Sequence, residues 1–369
     1  MRFSALSAFS LAVVLALPFP CDAQRSKKRD REEITQILEV PKDPPQAFSA
    51  DTRRLVFFTS PLSGKGLLSQ QVRDALKSVS RQAGSAQIVR LRAFTAGTGD
   101  LRRVQAIVSE TFTEKRQPIP ALTVVQTGAL PLEGAQVLLE ATAVTKKVVH
   151  PNGVAWISGV GATVRAPGQP AGPLLDQAAL SLSGALRTFG SAPEDMLRVS
   201  CFVSSLDNHT GMRSRLASAF PKASIAIVQT QRAPSASLAE CEGTAHLAKA
   251  PSKPLEFIGA AEANGSPRIA LVGSDRVLFT TAKIAFRYED EDLRLAFDRM
   301  KRTLVAEKTS MSNVAFCALY PLTGGIAERI KKIRLEFFDA SQPPATTVVA
   351  FEALPSLDAS FALDVVAVP

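Results

Sequence analysis

The sequence predicts an α+β fold made of three tandem β-α-β-α-β-β units, each a sheet with two helices on one face. The first observation behind this prediction is the stretch 117–144, "QPIPALTVVQTGALPLEGAQVLLEATAV", in which a Leu-Pro step separates two apolar runs. The same layout returns at 220–247 and at 342–368. The second observation is that one order of strand and helix patterns precedes all three copies. Internal repetition of this kind is typical of tandem structural units.

The landmarks of the repeated stretch keep nearly constant spacing along the chain. Each copy has an opening proline, a second proline in its break, and one acid in its closing run. These residues are Pro120, Pro221 and Pro344; Pro131, Pro234 and Pro355; and Glu140, Glu242 and Asp364. An acid at the same place in every copy is either a structural carboxylate, paired for example with an arginine across an interface, or a pocket acid.

Residue periodicity predicts the elements of each unit, and in the first unit Gly84 ends one helix and Asp100 caps the next. The first unit has a strand at 54–60, a helix at 66–84, a strand at 86–97, a helix at 100–115 and two closing strands. The second has a strand at 153–159, a helix near 172–189, a strand at 196–206, a short helix near 209–219 and two closing strands. The third has a strand at 276–286, a helix near 290–307, a strand at 313–322, a helix at 324–338 and two closing strands.

Two helices cover only one face of a sheet, so the other apolar face of each unit needs a partner. Three units in one chain can cover each other sheet against sheet, which predicts an intramolecular pseudo-trimer and a monomeric chain. The predicted boundaries are a signal peptide 1–23, a linker 24–50, unit 1 at 51–148, unit 2 at 149–248, a linker 249–267 and unit 3 at 268–369.

The amino terminus predicts export. Of the 369 residues, 46% are hydrophobic and 21% charged, which is ordinary for globular protein. A basic start, a short apolar run and small residues near Ala23 predict a cleaved signal peptide and a secreted or periplasmic protein. Pro18 and Pro20 argue against a membrane anchor, and no other segment is apolar enough to span a bilayer. The net charge of +9 is scattered over helix faces, so we expect no nucleic-acid partner.

Cysteine and histidine spacing predicts neither a metal site nor a cofactor. Cys201, Cys241 and Cys317 remain after signal cleavage, and only Cys201 and Cys241 lie in one unit. The sequence does not decide whether these two cysteines form a disulfide. We expect Cys201 and Cys317 to hold equivalent strand positions, which would also suit a small apolar side chain in the core.

The repeated layout resembles the RidA/YjgF family, also called the endoribonuclease L-PSP family. The resemblance rests on "RAFTAGTGDLRRVQAIVSETF" and the Leu-Pro break in unit 1, and on "VAWISG" and "RVSCFVSSLDNHTGM" in unit 2. It covers residues 51–369 and implies a chorismate-mutase-like sheet with two helices on one face. It further implies trimers with sites between subunits, hydrolysis of reactive enamines and imines and, for some members, RNA cleavage.

The resemblance implies a site whose residues this chain keeps only in part. The family places an arginine that binds the substrate carboxylate two positions after its opening proline; the aligned residues are Leu122, Ala223 and Thr346. The residues that match, or that stand near the site, are the candidates for it. These are Glu240, Glu242 and Ser158 as catalytic residues, and Glu140, Asp364, Arg232 and Gly159 as ligand-binding residues.

Three hypotheses about function follow. The first is an exported RidA-like protein that binds or hydrolyses a small metabolite in clefts between its units, without the family's arginine. The second is a structural or protein-interaction pseudo-trimer with no catalysis. The third is an active enamine or imine deaminase, for which Arg232 would have to replace the missing cation, because an unpaired buried carboxylate is unfavourable. The aligned serine positions outside unit 2 are Ser60 and Thr281.

Overall fold

The computed structural model describes residues 42–259 and 268–369 and has the α+β fold that the sequence predicts. Within these residues the strands form three sheets, and six α-helices pack on them. The predicted signal peptide and most of the predicted linker 24–50 lie outside the described residues. None of the helices in the two described ranges is long and apolar enough to cross a membrane.

Unit 1 forms a four-stranded sheet in the order β2-β5-β3-β4, in which only β3 and β4 are parallel. The elements up to residue 148 are β1 (Ala47–Asp51), β2 (Leu55–Thr59), α1 (Leu68–Ala83), β3 (Gln87–Thr95), α2 (Leu101–Glu114), β4 (Ala121–Gln126) and β5 (Val137–Val144). The predicted helix ends are confirmed: Gly84 follows α1 at φ 59°, and the Asp100 side chain accepts a hydrogen bond from Arg102 N.

Unit 2 has the same core with two more strands at its edge, in the order β10-β11-β6-β9-β7-β8. Its elements are β6 (Val154–Val164), α3 (Ala171–Thr188), β7 (Met196–Val203), α4 (His209–Ala219), β8 (Ser224–Gln229), β9 (Ser237–His246), β10 (Leu255–Ile258) and β11 (Ile269–Val272). The range predicted as a linker, 249–267, therefore contains the strand β10.

Unit 3 forms a sheet in the order β1-β12-β16-β14-β15, and β13 also pairs with β16. Its elements are β12 (Arg276–Thr280), β13 (Lys283–Phe286), α5 (Asp290–Ala306), β14 (Val314–Pro321), α6 (Gly324–Ile333), β15 (Ala345–Val348) and β16 (Ala359–Ala367). The strand expected at 276–286 is thus split in two, and the helix expected at 324–338 ends at Ile333 before a short 3₁₀ turn.

Two strands pair outside the unit to which the chain order assigns them. Strand β1 immediately precedes unit 1 but pairs antiparallel with β12 of unit 3. Strand β11 lies within the range of unit 3 but pairs antiparallel with β6 of unit 2. An antiparallel strand needs only a free edge, so proximity in sequence does not decide which sheet it joins.

The sheet faces that carry no helices pack on one another in a shared apolar core. Phe94, Phe202 and Tyr320 stand at equivalent positions of β3, β7 and β14, and all three pack around Phe351. The ring centroids of Phe94 and Phe202 are 5.9 Å apart, within the range of favourable aromatic contacts. Each unit also has its own core between sheet and helices.

Cys201 and Cys241 form a disulfide between directly paired positions of β7 and β9. This settles the alternative that the sequence left open, and small apolar packing of a free Cys201 thiol was the wrong preference. Cys317 is a buried free thiol. It pairs with Val365, the residue after Asp364, whereas Cys201 pairs with the residue before Glu242, so the prediction that Cys201 and Cys317 hold equivalent strand positions is wrong. Burial raises the pKa of the Cys317 thiol well above its usual value, so the group is neutral.

Candidate functional site

Six charged side chains from the three sheets meet in the interior, and we call them the central charge cluster. They are Arg90 and Arg92 on β3, Glu140 on β5, Arg198 on β7, Glu242 on β9 and Asp364 on β16. Each is at most 5% exposed. Buried charges are stable only when they are paired, and here three cations meet three anions.

Arg92 contacts Glu140 of its own unit and joins unit 1 to unit 2 through Glu242. Its Nε donates to Glu140 Oε2 at 2.7 Å, and its Nη1 lies 2.8 Å from Glu242 Oε1. Arg198 Nη1 lies 2.9 Å from Glu242 Oε1 and 3.6 Å from Glu140 Oε2. The Ser200 hydroxyl accepts from Arg92 at 3.0 Å and donates to Glu140. Removing one of the four charged side chains would leave the other three with an excess of one buried charge.

Asp364 makes the corresponding contact between unit 3 and unit 1. Its carboxylate accepts from Arg90 Nη2 at 2.6 Å, from Thr123 Oγ1 at 2.6 Å and from the Tyr320 hydroxyl at 3.0 Å. Burial and the nearby Asp364 charge raise the pKa of Tyr320 well above its usual range, so its hydroxyl remains a donor. Every acid predicted at the repeated position therefore contacts an arginine.

The charges of the cluster are held in place by their partners. Burial alone would raise the pKa of Glu242, but the cations Arg92 and Arg198 outweigh it and lower that pKa to about 2. Burial likewise opposes the charge on Arg92, but Glu140 and Glu242 outweigh it and raise the pKa of Arg92. The cluster matches the structural alternative of the sequence analysis, a carboxylate paired with an arginine across an interface.

Three equivalent junctions lie where the end of the first strand of one unit meets β4, β8 or β15, the strand that pairs parallel within the sheet of the next unit. We call each junction a cleft and name it by its two units. In cleft 1/2 the hydroxyls of Thr59 and Ser224 are 2.7 Å apart. In cleft 2/3 Gly159 N donates to Thr347 Oγ1 at 2.9 Å. In cleft 3/1 Leu122 N donates to Thr281 Oγ1 at 3.0 Å.

Cleft 2/3 contains the predicted residues Glu240, Ser158 and Gly159. Val348 N donates to the Glu240 carboxylate, and a Cβ on Gly159 would lie 2.0 Å from Glu240 Oε1, so glycine makes room for the acid. Burial, reinforced by the charge of Glu242, raises the pKa of Glu240 to about 7. A carboxyl group that titrates near neutral pH can act as a general acid or base.

Arg268 covers this cleft and is a residue that the sequence analysis missed. Its backbone N donates to Ser158 Oγ at 2.9 Å, and its carbonyl accepts from Ser158 N at 2.9 Å. Its guanidinium donates to Pro343 O at 3.1 Å and lies 4.8 Å from the centroid of the Phe257 ring. Arg268 ends a Gly- and Pro-rich segment that reads as a linker; the apolar run "IALV" after it was the available strand signal.

Cleft 3/1 is covered in an equivalent way by the residues before β1. Thr281 N donates to Gln46 O at 3.0 Å, and Thr281 Oγ1 donates to Pro45 O at 2.6 Å. The Lys283 ammonium donates to the Gln46 side chain. Burial lowers the pKa of Lys283 to about 8. Gln46 and Arg268 thus occupy the same place in two clefts.

Cleft 1/2 is an open cavity of about 590 Å³. Leu138, Ile225 and Ile227 are buried and line its apolar floor. His209, the first residue of α4, and the exposed Arg213 on the same helix line its rim, and Arg213 Nη1 donates to Ile225 O at 3.4 Å. Leu138 occupies the position that Glu240 occupies in cleft 2/3, so the two clefts differ in chemistry at their centres.

Strand register corrects two of the aligned positions. Leu122 pairs with Leu91 and Ile225 with Val199, which makes Ile225 rather than Ala223 the counterpart of Leu122. A turn in which Ala223 N bonds Phe220 O adds two residues before β8. Thr59 rather than Ser60 faces Glu140 and is the counterpart of the bulge that contains Ser158 and Gly159. The sequence alone could not place these gaps.

Arg232 lies apart from the other predicted site residues. It is exposed, its Nε lies 3.2 Å from Glu352 Oε1 of unit 3, and its backbone N donates to Glu352 Oε2 at 2.9 Å. This ion pair joins loops of two units. Among residues 42–259 and 268–369, no group of three histidine, cysteine or acidic side chains could hold a metal ion.

The fold and site define a class of protein: an α+β chain of three sheet-and-helix units with unequal clefts between them. No family model and no curated protein matches the sequence. Many solved structures match, and several of them are Rid, YjgF or L-PSP endoribonuclease family proteins, as the sequence resemblance predicted.

Three of these solved structures illustrate the similarity. A Rid-family protein of unknown function from Yersinia pestis has 17% identity over 25% of this chain and 79% of that chain, with a TM-score of 0.23. A YjgF-family protein from Mycobacterium tuberculosis has 14% identity over 31% and 99%, with a TM-score of 0.24. The E. coli protein TdcF, solved with bound serine, has 17% identity over 33% and 91%, with a TM-score of 0.23.

Proposed function

We propose that this chain is an exported, monomeric RidA-like protein that binds a small carboxylic acid with an apolar body in cleft 1/2. The observation that carries the proposal is the cavity of about 590 Å³, which has a floor of Leu138, Ile225 and Ile227 and the cation Arg213 at its rim. A cavity of this size suits a metabolite, and an apolar floor with few polar groups at the rim is typical of ligand sites.

The charge of Arg213 determines the proposed ligand class. An apolar body gains from leaving water at the floor of the cleft, while a carboxylate stays partly solvated beside the guanidinium at the rim. With Ile225 at the position of the family's arginine, a carboxylate placed at the floor would lose its hydration without a cation. The proposed ligand therefore binds with its acid outward.

Thermal-shift and calorimetric titrations with hexanoate and phenylacetate test the proposal. We expect both acids to bind, and the matching amides hexanamide and phenylacetamide to bind at least fivefold more weakly. Arg213→Gln should remove this preference. Arg215→Gln is the matched control, because Arg215 lies on the same helix but pairs with Asp176. The absence of binding at millimolar acid, or an unchanged preference in Arg213→Gln, would contradict the proposal.

A second candidate function is hydrolysis of an imine or enamine in cleft 2/3, favoured by the pKa of about 7 at Glu240. Glu240 would then take a proton from the attacking water. Hydrolysis of an imine formed from 2-aminoacrylate, compared between the wild type and Glu240→Gln, tests this candidate. We expect an activity that rises through pH 7 and is lost in the variant; a rate equal to the buffer blank rejects it.

A further inference from the structure

Strand β2 has an edge that its counterparts in the other units do not expose. Phe57 pairs with Thr142, Trp156 with Thr244 and Phe279 with Val366, so the three aromatic residues are equivalent. Trp156 is also paired with β11, and Phe279 with β1. Among the described residues, β2 pairs on one side only, with β5.

The alternation of the ladder identifies the backbone groups at this edge. Ser60 N donates to Leu139 O of the β5 side, so residues 56 and 58 face β5 and residues 55, 57 and 59 face outward. Two side chains occupy the ends: His150 Nε2 bonds Leu55 O at 2.8 Å and Gln82 Nε2 donates to Thr59 O at 3.3 Å. The N–H and C=O of Phe57 and the N–H of Thr59 remain directed outward.

No segment of residues 42–259 or 268–369 pairs with this edge, and the short connection between units 1 and 2 explains why the chain between these units does not. Only residues 145–153 separate β5 from β6, and they pass the end of β2, where Val149 N and His150 N both bond Arg53 O. The Phe57 side chain is accordingly part exposed, whereas Trp156 and Phe279 are buried. An edge strand of this kind is a template for pairing with another segment.

The covered edges of β6 and β12 show which kind of strand can pair at this position. Each takes an antiparallel strand of four or five residues whose N-terminal end lies at the cleft, as Arg268 does beside Ser158 and Gln46 beside Thr281. On β2 the C-terminal end of such a strand would approach the connection 145–150. There Lys146 and Lys147 are exposed, and Val148 is 46% exposed. In β1 the residue at the C-terminal end is an acid, Asp51, which lies opposite Arg276 in the strand register and whose Oδ2 is 3.1 Å from Arg54 Nε.

We propose that β2 docks an extended peptide segment of a partner protein, added antiparallel, with an apolar residue opposite Phe57 and an acidic residue at its C-terminal end beside Lys146 and Lys147. Backbone hydrogen bonds supply affinity in this mode, and the alternate side chains supply specificity. This inference is independent of the acid proposed for cleft 1/2.

The probe is a fluorescein-labelled peptide with the sequence of residues 44–51, PPQAFSAD, titrated into the full mature chain by fluorescence polarisation. Amide hydrogen exchange of the same mixture locates it. We expect the Phe57 and Thr59 amides to exchange rapidly in the free chain and at least tenfold more slowly with the peptide. Protection at Phe57 separates docking on β2 from replacement of β1 on β12.

Two altered peptides serve as controls that leave the protein unchanged. In the folded chain the backbone groups of Gln46 and Phe48 face β12. The same groups of the peptide should face β2, so N-methylation at Phe48 removes a ladder hydrogen bond and should abolish binding. Replacing the final Asp by Lys should weaken binding at least threefold, as should Lys146→Glu with Lys147→Glu in the protein.

Several outcomes overturn the proposal. Equal affinity of the N-methylated peptide, or unchanged exchange at Phe57, shows that the peptide does not extend the sheet. Protection of Phe57 and Thr59 in the free monomer shows that the chain covers its own edge. Protection that appears only with dimerisation in sedimentation identifies a second copy as the occupant.

Discussion

Glu240 and Glu242 stand two residues apart on β9 and should respond to pH in opposite directions. The folded state raises the pKa of Glu240 from 4.5 to about 7, so it binds that proton more tightly than the unfolded chain does. The stability from this protonated carboxyl is complete below pH 4.5 and is lost as the pH rises to about 7. At pH 8 the ionised carboxylate of Glu240 lowers the free energy of unfolding by roughly 3 kcal/mol. This figure is an upper bound, because the side chain is only partly buried and water screens its charge.

Glu242 shows the reverse linkage. Its pKa falls from 4.5 in the unfolded chain to about 2 in the folded one, so its stabilisation is present above pH 4.5 and is lost as the pH falls toward 2. Glu242→Gln would also leave Arg92 and Arg198 with one carboxylate between them. Removing one partner of a buried ion pair costs about 3–5 kcal/mol, so this variant should be strongly destabilised at neutral pH.

Urea unfolding at pH 5 and pH 8, followed by the fluorescence of the single tryptophan, Trp156, measures both effects. We expect Glu240→Gln to lie close to the wild type at pH 5 and to be more stable by up to about 3 kcal/mol at pH 8. Glu242→Gln should be less stable than the wild type at both pH values. If the stability difference between Glu240→Gln and the wild type is the same at pH 5 and pH 8, the reasoning about burial is wrong.

Three further predictions concern the junctions between units. Arg92→Met should lower the free energy of unfolding by about 3–5 kcal/mol in urea, because Glu140 and Glu242 lose a buried cation. Arg103→Met, which breaks a solvent-exposed ion pair with Glu110, should cost less than about 1 kcal/mol. Gly128→Ala should cost about 1–3 kcal/mol by urea unfolding, since its Cβ would lie 2.3 Å from the backbone of Gln231; a neutral result would show that the loops of units 1 and 2 move apart freely. Reducing the Cys201–Cys241 disulfide, which spans 40 residues, should lower stability by about 3–4 kcal/mol in unfolding with reductant, and no change would mean that the crosslink restrains the unfolded chain little.

The repeated units were predictable because their signals are local. Helical periodicity, the cap at Asp100 and the stop at Gly84 each depend on a few neighbouring residues, and the structure has them where the sequence predicts them. The sheets that β1 and β11 join were not predictable in this way, because the strand whose edge is free can be far away in sequence. The two-residue insertion before β8 and the bulge around Ser158 were not predicted, for a related reason. The spacing between landmarks stays nearly constant when an insertion in one segment is offset by a shorter neighbouring segment.

The central charge cluster had a signal that sequence reasoning passed over. "IVRLRAF" places Arg90 and Arg92 at a period of two within an apolar strand, and "RVSCF" places Arg198 at the counterpart of Arg90. Strand residues two apart share a face, so arginines at this spacing in a buried strand require acids opposite them. The repeated acids were recognised, and their arginine partners were available in the same sequence.

The three clefts begin from one geometry, and the chain that connects the units makes them different. Pro45 and Gln46 cover cleft 3/1, and Arg268 covers cleft 2/3, whereas the connection 145–153 between units 1 and 2 is too short to cover cleft 1/2. The chemistry at the centre of the clefts differs as well, because burial in cleft 2/3, reinforced by the charge of Glu242, raises the pKa of Glu240. The open cleft has Leu138 in the place of that acid. The three clefts therefore differ in the length of the connecting segment beside them as much as in their site residues. The ligand that each cleft can bind has to be inferred from both.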